Sequence, residues 1–147
     1  MKKYNIKLFR GFENRPNIGT INYVDKNREP SDTSIEIHNK ANEVFNEKFG
    51  IKFRESSVFC TGDLNEAREY GDVAIIEPLG DYIICWSPSC KDFYHDTFDL
   101  ETNEIENFIF TSNYQTCDIE KAILSCNEIM IHCKEYKIIE HIDNLYV

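Results

Sequence analysis

The chain has 147 residues, 41% hydrophobic and 29% charged, a balance that supports one packed domain and excludes a disordered chain. Its formal net charge of -10 opposes direct binding to nucleic acid or anionic membranes, which needs clustered Lys and Arg. No apolar run approaches the roughly 20 residues that cross a bilayer, and residues 1 to 10 do not read as a secretory leader, so a cytoplasmic protein, in a bacterial or host cytosol, is expected.

In chain order, Tyr4 to Arg10 alternates polar and apolar residues as a strand does, and Gly11 permits a sharp departure of the backbone. Residues 12 to 32, with Pro16, Gly19 and Pro30, read as a long loop with one short extended piece near Ile21 to Val24. Thr33 and Glu36 have capping-box spacing, and Ile37, Ala41, Val44, Phe45 and Phe49 then recur at helical spacing until Gly50. Ser57 to Thr61 is a short strand running into a two-turn helix capped by Asp63 and ending at Gly71.

Val73 to Ile76 and Tyr82 to Trp86 are β-rich runs separated by Pro78 and Gly80, and they read as two antiparallel neighbours. Residues 87 to 101 look irregular, and weak helical spacing appears at Ile105, Phe108 and Ile109 and again at Ile119 and Ile123. Glu128 to Cys133 and Tyr136 to Ile139 read as a final strand pair joined by a tight turn. This order defines an α+β fold in a single domain over residues 1 to 147, not a βαβ wind.

Six cysteines form no CxxC pair, so no zinc site is expected and the thiols read as reduced and mostly buried. His38, His95, His132 and His141 have no metal-ligand spacing, and no metal is expected. Cys85 or Cys90 with His95 can be drawn as a nucleophile and base, but proximity in sequence gives no alignment. Trp86 reads as the end of a buried strand or as an anchor for a partner.

Three separated blocks carry chemistry. The first is Leu8-Phe9-Arg10-Gly11, in which a guanidinium at a strand end presents a planar fork to phosphate oxygens. The second is Val58-Phe59-Cys60-Thr61-Gly62, followed by the segment that leads to Tyr70 and Gly71. The third is Cys126-Asn127-Glu128-Ile129-Met130-Ile131. Taken singly, each has a plain alternative: a solvated arginine, a core tyrosine, or a polar residue opening a strand.

Together and in this order the blocks resemble the ADP-ribosyltransferase superfamily, in the class whose signature is Arg, then Ser-Thr-Ser, then Glu. That resemblance implies a core of mainly antiparallel strands in two small sheets with a few short helices, and NAD as cofactor. Arg10 would hold the NAD phosphates or ribose, and Gly11 would offer its backbone to the nicotinamide amide. Cys60 and Thr61 would stand in the Ser-Thr-Ser block, where only Thr61 keeps a hydroxyl to brace the catalytic carboxylate. Tyr70 would line the cofactor pocket.

Glu128 would be the catalytic residue, since a carboxylate stabilises the oxocarbenium-like state formed when the nicotinamide-ribose bond breaks. Glu135 is its rival but reads as part of a turn. The resemblance places acceptor recognition at Tyr114 and at Cys126, where Cys126 replaces the Glu or Gln found in many family members. The implied activity is transfer of ADP-ribose from NAD to a macromolecular acceptor, a protein, with NAD hydrolysis as its nearest variant. Such a chain would suit a bacterial or phage effector. The alternative is a non-enzymatic acidic binding or inhibitor protein built on a degenerate form of the same fold.

Overall fold

The computed structural model describes residues 7–142. Five strands and six short-to-medium helices alternate along them: β1 Leu8–Phe12, β2 Ile21–Tyr23, α1 Ile35–Phe49, α2 Phe53–Ser56, β3 Ser57–Thr61, α3 Leu64–Arg68, β4 Asp72–Trp86, α4 Phe93–Thr97, α5 Ile105–Thr111, α6 Ile119–Ser125 and β5 Glu128–His141. The mixed composition and the antiparallel pairing follow the expected class. No helix among the described residues is long and apolar enough to cross a membrane.

The longest helix starts one residue later than the capping-box reading places it. Ser34 Oγ, not Thr33, accepts the Ile37 N–H at 3.3 Å, and Gly50 closes the helix in the left-handed region at φ 79°. Asp63 caps α3 as its spacing predicts, accepting from the Asn65 and Glu66 amides. Residues 87 to 101 are irregular apart from one short helix, α4, which Asp92 caps through the His95 amide, and a 3-10 turn at Thr102–Glu104 then leads into α5.

The two β-rich runs around Pro78 and Gly80 are a single strand. β4 spans 15 residues, and a register shift between Leu79 and Tyr82, beside Gly80 at φ 70°, absorbs what resembles a turn. β5 is likewise one strand of 14 residues, without the expected hairpin. Lys134 is exposed and Glu135 half-buried within the continuous strand, where Tyr23 of β2 pairs with Glu135 and the Lys134 carbonyl accepts from the Val24 amide.

All pairings are antiparallel, and the order is β2-β5-β3-β1-β4 with β4 also paired to β5. The strands therefore form one sheet that returns on itself, in place of two separate sheets. The first half of β4 lies between β1 and the end of β5, while the first half of β5 lies between β3 and the end of β4. Phe9 opposite Thr61 links the two halves.

Alternation along β5 then separates two core clusters. Ile129 and Ile131 join Val58, Ile84 and Trp86 under Ala122 and Ile123 of α6. Met130, facing the other way, joins its pairing partner Cys85 and packs with Phe45, Phe53, Phe93 and Ile109 beneath α1 and α5. With six side chains of that second cluster fully buried and aromatic or aliphatic, α1 is held by packing rather than by propensity.

Candidate functional site

β1, β3 and β5 run side by side, and their register brings the three blocks together. Thr61 pairs with Phe9 on one side and with Glu128 on the other, so Arg10, the neighbour of Phe9, stands two strands from Glu128. A cleft of about 310 Å³ opens over this edge, and Arg10, Gly11, Cys60, Thr61, Tyr70 and Glu128 all line it. The same cleft holds residues that no sequence block flags: Arg28, Arg54, Lys91 and Asp92.

Glu128 is held from two sides. Its Oε1 accepts the Phe93 amide at 3.2 Å and lies 3.5 Å from Arg54 Nη1. The Glu128 amide itself donates to the Lys91 carbonyl at 2.9 Å. With its side chain only 18% exposed, burial pushes the carboxyl above its ordinary value of 4.5, Asp92 adds to that push, and Arg54, the Phe93 amide and Arg28 oppose it.

The partners that hold Glu128 depend on local structure nearby. Asp92 caps α4 with one carboxylate oxygen and accepts the Tyr70 hydroxyl at 2.6 Å with the other, which orients the first turn of α4 and its Phe93 N–H toward Glu128. Arg54 sits on the single turn α2, which Asn42 of α1 fixes by accepting the Glu55 amide at 3.2 Å. Its guanidinium lies 4.7 Å from the Phe59 ring centroid and 4.4 Å from that of Phe93, so aromatic faces replace much of its water.

Several expected roles change. The Thr61 hydroxyl donates to the Cys126 carbonyl at 3.2 Å and accepts the Asp63 amide at 3.0 Å, so it ties the start of α3 to the residues before β5, while Arg54 and Phe93 brace Glu128. Gly11 is needed for packing: a Cβ there would stand 2.1 Å from the Ala67 carbonyl and 2.9 Å from Tyr70 Cβ. Cys60 Sγ turns inward to the Ile129 carbonyl, and burial pushes that thiol up. Tyr70 is half exposed rather than a core residue, with its hydroxyl engaged by Asp92.

Tyr114 and Cys126, expected at the acceptor, do not line the cleft. Tyr114 is 6% exposed and packs edge to face on Phe45 with ring centroids 5.0 Å apart. The cause is a backbone bridge, in which Trp86 and Gln115 exchange both amide hydrogen bonds and pin this segment to the end of β4. Cys126 ends α6 in the left-handed region at φ 63°, and its carbonyl accepts from Thr61 and from Lys91 Nζ at 2.8 Å. Cys85 and Cys90 are buried while His95 is exposed, so no thiol and base pair forms there.

Arg28 lies in the long loop and Arg54 just before β3, where no spacing rule marks either. Asp92 did carry a signal: an Asp three residues before His95 is an N-cap pattern. No group of three or more His, Cys, Asp or Glu among the described residues could hold a metal ion. Compared with family models, with curated proteins and with solved structures, the chain gives no match.

Proposed function

We propose that the cleft binds NAD and that the protein transfers ADP-ribose from it to a macromolecular acceptor. The observation that carries this reading is the meeting of Arg10, Thr61 and Glu128 on three adjacent strands in one cleft, in the order of the family's signature. A cofactor with a diphosphate suits a cleft that presents Arg10, and its rings suit the half-exposed aromatic surface of Tyr70.

In this reading the bond between nicotinamide and ribose C1′ breaks, and nicotinamide leaves with the bonding electrons. Glu128, ionised, stabilises the positive charge on the ribose and holds one of its hydroxyls. The acceptor nucleophile adds to C1′ and loses its proton, or water does so when NAD is hydrolysed. The core of the fold is then the ADP-ribosyltransferase one, with the two halves of the shared β4 and β5 acting as its two sheets.

Saturating NAD should raise the melting temperature of the protein, because a ligand that binds only the folded state stabilises it. Label from NAD should appear on an acceptor in a lysate. No thermal shift with NAD, and no label transfer, would instead support an acidic binding protein on a degenerate form of the fold.

A further inference from the structure

Two guanidiniums lie over one phenyl ring in the cleft, and a third binds the backbone of the same residue. Arg28 Cζ lies 4.2 Å and Arg54 Cζ 4.7 Å from the Phe59 ring centroid, and Arg10 Nη1 donates to the Phe59 carbonyl at 2.8 Å. Arg28 also donates to the Arg54 carbonyl at 3.2 Å, which fixes the two arginines relative to each other. Like charges held this close and withdrawn from water raise the free energy of the cleft.

Carboxylates of Glu13, Asp32, Glu66, Asp92 and Glu128 also line the cleft, but only one of them pairs with an arginine of this group. Glu128 pairs with Arg54, and among the described residues neither Arg10 nor Arg28 has a carboxylate within ion-pair distance. Burial, followed by the neighbouring Arg54 and Arg10 cations, pulls the Arg28 guanidinium down to about 10, while Glu128 and Asp25 oppose that shift. Arg54 is 4% exposed, yet its Nε has no hydrogen-bond partner, and the same holds for Arg10 Nε. Among the described residues the cleft therefore holds two guanidiniums without an ion-pair partner, Arg10 and Arg28, and two buried Nε donors left over, on Arg10 and Arg54.

We propose that Arg28 and Arg54 join Arg10 in a receptor for a diphosphate group, whose oxygens accept from the free guanidinium donors beside Phe59. Arg28 decides the matter, since it comes from a loop outside the three sequence blocks. The inference rests on the NAD reading for the choice of a diphosphate; the free guanidinium donors suit an anionic ligand whether or not a glycosidic bond is cleaved.

The test measures binding of inorganic pyrophosphate, ADP and adenosine by calorimetry and thermal shift, on wild type, Arg28→Met and Arg28→Lys. Pyrophosphate and ADP bind wild type and adenosine does not at the same concentration. Arg28→Met weakens ADP at least about tenfold, the loss of one charge-assisted hydrogen bond. Its ligand-free melting temperature is equal to or above that of wild type, because a repulsion is removed. Arg28→Lys, which keeps the charge and loses the fork, recovers only part of the affinity.

Adenosine binding as well as ADP, or Arg28→Met binding ADP within about twofold of wild type, overturns the inference. Should Arg28→Met fail to fold, Arg28→Lys decides: weakened ADP supports the receptor and unchanged ADP overturns it. Diphosphate binding that depends on Arg28 without NAD turnover keeps the receptor and removes the transferase. NAD turnover with ADP binding indifferent to Arg28 does the reverse.

Discussion

Arg54 Nη1 and Glu128 Oε1 lie 3.5 Å apart across the cleft floor, although 74 positions separate them in the chain. Both side chains are largely withdrawn from water, and each reduces the cost of burying the other. Arg54→Met leaves the carboxylate buried without its cation, so unfolding in urea should show a loss of about 3 kcal/mol. An unchanged midpoint would mean that the Phe93 amide alone suffices to hold Glu128.

The raised pKa of Glu128 has a definite sign for stability. The folded protein binds this proton more tightly than the unfolded chain, so the contribution is complete below the ordinary value of 4.5 and is lost as pH rises through the folded value. Stability of wild type relative to Glu128→Gln, measured by melting across that acidic window, should therefore fall as pH rises. A difference that is flat or grows with pH contradicts the assignment. Catalysis by the ionised carboxylate should follow the opposite course and rise over the same window.

Close packing of α3 on β1 depends on Gly11. Gly11→Ala places a methyl 2.1 Å from the Ala67 carbonyl, and the helix must move, at a cost of about 2–3 kcal/mol in chemical unfolding. The same shift displaces Tyr70 from Asp92, so binding in the cleft should weaken as well. A variant as stable as wild type would show that α3 has room to adjust.

What the residues revealed beforehand divides along physical lines. Features set by neighbours in sequence were legible: the Gly50 stop, the Asp63 cap and the β3 run Ser57–Thr61 all rest on local backbone chemistry. Continuity of β4 and β5 was not, because a Pro-Leu-Gly stretch and a Lys-Glu pair are turn signals unless a partner strand holds them extended. Arg10, Thr61, Tyr70 and Glu128, drawn from three separate blocks, line one cleft. Arg28 and Arg54 escaped notice because only tertiary packing on Phe59 gives them meaning.

Tyr114 illustrates the same point from the other side. An aromatic in a polar stretch, Ser-Asn-Tyr-Gln-Thr, reads as exposed, but the bridge between Trp86 and Gln115 turns it into the core against Phe45. Tyr114→Ala should cost about 3–5 kcal/mol, in the range of other large aromatic truncations. Tyr114→Phe should fold and leave the set of labelled acceptors unchanged. A changed acceptor set in the Phe variant would restore the residue to acceptor recognition.

Nicotinamide release measures directly whether Glu128 acts at the NAD glycosidic bond, without any knowledge of the acceptor. Wild type and Glu128→Gln, each shown to be folded and to bind NAD, are incubated with NAD and the free nicotinamide is quantified. Wild type should release nicotinamide at least about a hundredfold faster than the variant, the scale on which losing one charge-stabilising group acts. Equal release from both proteins, or none above the spontaneous rate from wild type with its acceptor-containing lysate, contradicts a catalytic role for Glu128.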